Sequence, residues 1–290
     1  MKTTAVIVSR NDNYGGNLIE RSTFCLNSAI DTYDEVIYVD WNSPDNHSLL
    51  WDIKSNLKTK GNLKHLVITP EIASILTNHD PDAQVCCEVL ARNLGIRRAT
   101  GDYIISTNID IIHPRRKDLI EFINNSDKDT FYTISRRDAE LPEIIEFQGT
   151  GQCEYDKWED LREHLISQSQ ERKRETNTVN GDEFSLINCC GDFQIASKHI
   201  WNEIRGFEED LIYTLYADSN VQKKAKMHGF NIEAAFSPAL FHINHGRGGG
   251  GLGVSNRKTN DPYRAIINQE KTLNTESWGF GNTDIEFEIF

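Results

Sequence analysis

The chain of 290 residues has no apolar run near the roughly 20 residues that a membrane-spanning helix requires, so no transmembrane segment is expected. Its opening, MKTTAVIVSR, carries one lysine and an apolar stretch too short for a signal peptide, and Thr4–Ser9 reads instead as a first strand. No basic stripe is present. With 31 Lys and Arg against 44 Asp and Glu the formal charge is −13, which argues against a nucleic-acid partner. The small basic clusters Arg97-Arg98, Arg115-Arg116-Lys117, Arg136-Arg137 and Arg172-Lys173-Arg174 read as solvated faces. An acidic protein repels a phosphorylated ligand unless a cation or nearby Arg and Lys screen the charge. No Cys-x-x-Cys pair occurs. The cysteines sit at 25, 86, 87, 153, 189 and 190, and the two adjacent pairs do not fit zinc spacing. They read as reduced, mostly buried thiols in a reducing, cytoplasmic compartment. Internal repeats are missing too, as is a linker long enough to force two independent domains. The 38% hydrophobic and 26% charged residues are ordinary for a soluble globular protein.

What is present is alternation. Short apolar strands are predicted at Thr4–Ser9, Glu35–Asp40, His65–Thr69, Asp102–Asn108 and Thr130–Ser135. Helices are predicted near Asn17–Thr32, His47–Leu57, Gln84–Thr100 and Arg116–Asn124. This order argues for an α/β fold with a mostly parallel central sheet flanked by helices. Further on, Tyr155–Glu175 reads as an amphipathic helix, Ser197–Ile204 and Ala217–His228 as helices, and Asn231–Phe236 as a strand. The glycine run in HGRGGGGLG (His245–Gly253) reads as a flexible loop. Ligands in such sheets bind beyond the carboxyl ends of the strands. Those ends are polar here: Ser9-Arg10-Asn11-Asp12, Asp40-Trp41-Asn42-Ser43 and Asn108-Ile109-Asp110.

The last of these lies in TGDYIISTNIDIIHP (Thr100–Pro114), where an amide and a carboxylate interrupt an apolar run. Residues i and i+2 of a strand face one side, so Asn108 and Asp110 are expected to present oxygen atoms in the same direction, a reasonable way to hold a hard cation.

Four stretches resemble a known group: EVIYVDWNSPD, LARNLGIRRATGDYIISTNID, CCGDFQIASKHIWNEIRGFEEDLIYTLYADSNVQKKAKMHGFNIE and FHINHGRGGGG. In order and spacing, over about Thr3 to Gly251, they are similar to the GT-A-fold glycosyltransferases, in particular the inverting family-2-type enzymes, with some galactosyltransferase-like features late in the chain. The resemblance implies a GT-A domain over 1–254, its nucleotide-sugar half at 1–115 and its acceptor half at 116–254, with 255–290 as an extension packed on it. The chain departs from the family pattern twice. Asn108 stands where the metal-binding Asp-x-Asp motif has its first carboxylate, and Ala217 stands where the Glu-Asp catalytic pair has its glutamate, leaving Asp218.

A glycosyltransferase must stabilise a departing nucleoside diphosphate and deprotonate an incoming hydroxyl. The resemblance implies Mn²⁺ or Mg²⁺ as cofactor, with Asp110 as a direct ligand and Asn108 on a ribose hydroxyl or a metal-bound water. His242 and His245 are the next candidates. The resemblance favours His245 as ligand, and His242 is open to a core-packing role. Arg247 and its glycines would close over the diphosphate. Asp40 would meet the base or ribose, with Ser9, Arg10 and Asp12 lining the same crevice, and Arg92 or Arg97 reaching the diphosphate. Asp218 would be the general base of an inverting transfer. Gly191, Asp192 and Trp278 would lie near the acceptor. The donor would be a UDP-, GDP- or dTDP-sugar and the acceptor a glycan or glycoconjugate. Two alternatives stay open. A sugar-nucleotide nucleotidyltransferase would need a better phosphate loop than SRNDNYGGN, and a catalytically degenerate carbohydrate-binding module would account for the two departures.

Overall fold

The structure, a computed structural model, describes residues 1–148, 158–168, 177–178, 185–186, 191–213, 217–246, 270–283 and 286–290. The elements run in the order β1 (Thr3–Ser9), α1 (Leu18–Thr32), β2 (Glu35–Trp41), α2 (Leu49–Ile53), β3 (Leu63–Ile68), α3 (Pro70–Leu76), α4 (Glu88–Arg98), β4 (Tyr103–Asn108), β5 (Ile111–Ile112), α5 (Arg116–Asn125) and β6 (Thr130–Ile134). They continue with β7 (Arg137–Glu140), α6 (Leu141–Gln148), α7 (Trp158–Gln168), β8 (Asn177–Thr178), β9 (Ser185–Leu186), β10 (Phe193–Ser197), α8 (Lys198–Glu203), α9 (Ala217–Met227), β11 (Asn231–Ala235), β12 (Phe241–Asn244) and β13 (Glu288–Ile289).

Ala5-Val6-Ile7-Val8 of β1 and the whole of β2 are buried on both faces, the condition of inner strands in a parallel sheet covered by helices. The sheet has eight strands in the order β11-β6-β10-β4-β1-β2-β3-β13. β4, β1, β2 and β3 run parallel, as do β6 and β11, while β10 lies antiparallel between β4 and β6. One face packs on α4, α8 and α9 through Val6, Leu90, Leu94, Trp201 and Val221, and the other on α1, α2 and α5 through Ile7, Leu26, Leu50 and Leu119. A second sheet, β5-β12-β7, covers α6 and α7 through Ile112, Phe241, Ile144 and Leu161.

The alternation predicted from sequence is present, with most boundaries shifted by a few residues. β10 was hidden in the pattern, because FQIAS is short and runs directly into a helix. The amphipathic helix expected over Tyr155–Glu175 is described only at Trp158–Gln168. The end of the chain returns to the sheet: β13 pairs with β3, and Trp278 packs among the residues of α4 and α8. Among the described residues no helix is long and apolar enough to cross a membrane.

Candidate active site

β4 stops at Asn108, Ile109 and Asp110 form a turn, and β5 belongs to the second sheet. The same-side rule for i and i+2 holds only within a strand, so the expectation that Asn108 and Asp110 face one way is overturned: the turn sends them apart.

Asp110 meets the end of β12. His245 Nε2 is 3.0 Å and His242 Nε2 3.5 Å from its Oδ2, and the three side chains offer ligand atoms that all lie within 4.8 Å of one another. Asp110 is 6% exposed, and its Oδ1 has no hydrogen-bond partner among the described residues. A buried carboxylate oxygen left unpaired is costly. Burial alone would raise the Asp110 pKa. The hydrogen bonds and charges of the two imidazoles outweigh it and hold the carboxyl well below its ordinary range. His245 is raised in turn, chiefly by its hydrogen bond to Asp110. One carboxylate, two imidazoles and an orphaned oxygen are a set that fits a divalent cation, Mn²⁺ better than Mg²⁺. Gly15, at φ +74°, gives His245 its room, since a Cβ there would collide with the imidazole. His242 therefore belongs to the cluster and not simply to the core.

Asn108 faces the other way, into a charged chain. Its Nδ2 donates to Asp192 Oδ1 at 2.8 Å and its Oδ1 accepts from Arg92 at 2.5 Å. Arg92 also bonds Glu88, Ser106 Oγ and the Thr107 carbonyl, and Arg136 donates to Asp192 Oδ2 at 2.5 Å. The amide is needed because one neighbour offers only donors and the other, an acidic carboxylate, accepts.

Asp218 lies in the first turn of α9. Its Oδ2 accepts from Gly191 N at 2.7 Å and its Oδ1 from Ser219 N at 2.9 Å. Burial raises its pKa, the two backbone donors oppose this, and the charges of Glu88 and Asp192 add to the rise. A Cβ at Gly191 would stand 2.9 Å from that of Asp218, so what approaches the Gly191 backbone closely is this side chain.

Among solved structures, residues 1–349 of TarS from S. aureus, a glycosyltransferase of the GT-A type, superpose over 95% of this chain and 67% of that one, with a TM-score of 0.52 and 17% identity. The chain has the GT-A fold. The mannosyltransferase PcManGT from Pyrobaculum calidifontis, in complex with GDP-Man and Mn²⁺, is also similar, at a TM-score of 0.49 and 14% identity over 93% of this chain and 68% of that one, a likeness too weak to add to the first. No family model matches the chain, and no curated protein matches it in sequence.

On this GT-A sheet the other residues singled out from sequence separate. Ser9 ends β1 and Arg10 and Asp12 follow it, with Ser9 bonded to the Tyr38 hydroxyl at 2.6 Å and Arg10 paired with Asp12 at 2.8 Å. Arg92, 4% exposed, reaches the end of β4. Asp40 does not face the crevice. It is fully buried, and Ser43 Oγ, Ser48 Oγ and Leu49 N occupy its oxygens, so it fixes the turn into α2. Arg97 is misplaced for a diphosphate. It sits in the last turn of α4, the end that leads into the start of β4, and stacks on Trp278 at 5.0 Å. Trp278 is 1% exposed and pins the tail to α4, so it offers no sugar-stacking face. Trp41, also 1% exposed, is core. Asp192 is taken up between Asn108 and Arg136. Arg247 and the glycine run after it lie outside the described residues.

Sequence reasoning missed Arg21. Its guanidinium is 1% exposed and lies 3.5 Å from Asp110 Oδ2. The signal was present: Leu18 and Cys25, three residues before and four after, are both buried, so Arg21 occupies the apolar stripe of α1.

Proposed function

We propose that the chain transfers a sugar from a nucleotide-sugar donor to a hydroxyl acceptor with inversion at the anomeric carbon, and that it depends on a divalent cation held by Asp110, His242 and His245. The observation that carries this reading is that ligand set, seated beyond the carboxyl end of β4 on a GT-A sheet. A cation bound there would neutralise charge developing on the diphosphate as it leaves.

The chain's own part in the reaction is proton transfer and placement. The acceptor oxygen bonds to the anomeric carbon as the bond from that carbon to the diphosphate oxygen breaks, and the hydroxyl proton passes to Asp218. A carboxylate whose pKa is raised is a better proton acceptor, and the Gly191 and Ser219 amides fix its orientation while leaving lone pairs free. Arg92 and Asn108 set the shape of the wall between the end of β4 and Asp192.

The test is a melting-temperature panel of UDP-, GDP- and dTDP-sugars with and without Mn²⁺, followed by Asp218→Asn. A matching donor should raise the melting temperature only in the presence of Mn²⁺. Asp218→Asn should lower turnover by about 10²- to 10⁴-fold, the usual worth of a general base, while leaving donor affinity within about threefold. If no nucleotide shifts melting with any metal, the transferase reading fails. If Asp218→Asn keeps full turnover, Asp218 is not the base.

A further inference from the structure

Among the described residues, the candidate cation site is short of negative charge. A metal-binding imidazole is neutral, so Asp110 supplies the single ligand anion, and Arg21 stands beside it. The guanidinium is locked in place: Nε donates to the Gly16 carbonyl at 3.0 Å and Nη2 to the Tyr14 carbonyl. The third nitrogen, Nη1, lies 3.5 Å from Asp110 Oδ2 and has no hydrogen-bond partner among the described residues. Arg21 and His245 both line a cavity of ≈ 690 Å³ between the start of α1, α6 and the end of β12. Other acidic groups give little relief. Glu20, Glu140 and Glu146 on the cavity rim are exposed and screened by solvent, and Asp138, 4.0 Å from His242 Nδ1, also lies 3.7 Å from Arg136.

A divalent cation entering alone would therefore gather a net charge of about +2 with Asp110 and Arg21, in a place where charge is poorly solvated. A diphosphate removes that excess, and Nη1 is a preset donor for one of its oxygens. We propose that Arg21 is a diphosphate-binding residue that makes cation binding and nucleotide binding depend on each other. This rests on the reading of Asp110, His242 and His245 as a cation site. By linkage, whatever factor the nucleotide adds to cation affinity the cation adds to nucleotide affinity.

The experiment measures Mn²⁺ affinity by the loss of its free electron paramagnetic resonance signal, corrected for Mn²⁺ held by free nucleotide, with Mn²⁺ alone and with UDP, GDP, dTDP or inorganic pyrophosphate. Wild type should bind Mn²⁺ at least tenfold more tightly with the matching nucleoside diphosphate. Arg21→Met should bind Mn²⁺ alone several-fold more tightly than wild type, with the enhancement cut below threefold. Arg21→Lys, which keeps the charge but not the fork, should bind Mn²⁺ alone as weakly as wild type. Should the methionine variant lose cooperative melting, Arg21→Gln, which can still donate to the Gly16 or Tyr14 carbonyl, takes its place. A folded neutral variant that binds Mn²⁺ alone no more tightly, or keeps the full enhancement, overturns the proposal. Wild type binding Mn²⁺ equally with and without nucleotide also overturns it, yet leaves the cation site standing. Wild type binding no Mn²⁺ under any condition removes both.

Discussion

Asn108→Asp restores the carboxylate that the sequence motif lacks, and the structure argues that it harms the protein. The introduced oxygen would replace an amide nitrogen 2.8 Å from Asp192 Oδ1. The lost hydrogen bond to a buried acceptor costs about 1–3 kcal/mol. Two carboxylate charges about 3 Å apart repel by about 5 kcal/mol at an effective dielectric near 20, and attraction to Arg92 on the other side returns a similar amount. The net expectation is a loss of about 1–3 kcal/mol, which at this chain length lowers the melting temperature by about 2–6 °C. The loss should depend on pH. With the two charge terms near cancellation, the protonated carboxyl can still donate to Asp192 Oδ1 while the ionised one cannot. The new carboxyl therefore holds its proton above the ordinary carboxylate range, and the folded variant binds more proton than the unfolded one in that window. Its stability then falls as pH rises. Calorimetry of wild type and Asn108→Asp at pH 5 and pH 8 checks this. The larger deficit should appear at pH 8. Equal melting temperatures at pH 8, or a larger deficit at pH 5, would refute the account of Asn108 as a bridge between Arg92 and Asp192.

Two further outcomes are expected. His113 is buried between the Tyr33 hydroxyl at 3.0 Å and Cys25 Sγ at 3.7 Å, and burial, with Arg162 nearby, pushes its pKa down to about 3. It stays neutral in the fold while the unfolded chain takes a proton near pH 6.5, so stability should fall by up to about 1.4 kcal/mol per pH unit as pH drops from 6.5 toward 3. His113→Phe should lower that acid-side slope by one proton in denaturant titrations, and an unchanged slope would count against it. Arg97→Ala should leave nucleotide affinity unchanged and lower the melting temperature by about 1–2 °C through loss of its stacking on Trp278. A fall in nucleotide affinity would return Arg97 to the site.

Much of the fold could be read from the chain because β1, β2, β4, α1 and α4 carry strong apolar patterns, and the resemblance rested on the same segments. The site was legible in part. Asp110 and His245 stand out as polar residues just past strand ends, and Asp218 as an acid in the first turn of a helix. Asn108 and Asp110 were separated by a change of sheet, which a two-residue strand such as β5 does not announce. Asp40 and Trp278 were misread because residue type alone does not tell a polar group aimed at a ligand from one satisfied within the fold. The Cys25–His113 contact is the same lesson in reverse. It resembles an activated thiol pair, yet burial raises the thiol and lowers the imidazole, the opposite of what a nucleophile needs.

The reversed direction of β10 has a consequence for how such a protein can change. Because this strand runs against β4, it begins where β4 ends, so Gly191 and Asp192 enter the sheet at the rim formed by the carboxyl ends of the parallel strands. Were β10 parallel to β4, its first residues would lie at the opposite rim. A substitution at Gly191 or Asp192 is thus felt beside Asp218 and at the end of β4, while the ladder of β1, β2, β3 and β4 keeps its register. Under the proposed transfer, substitutions there would alter the acceptor wall and leave the nucleotide side as it is.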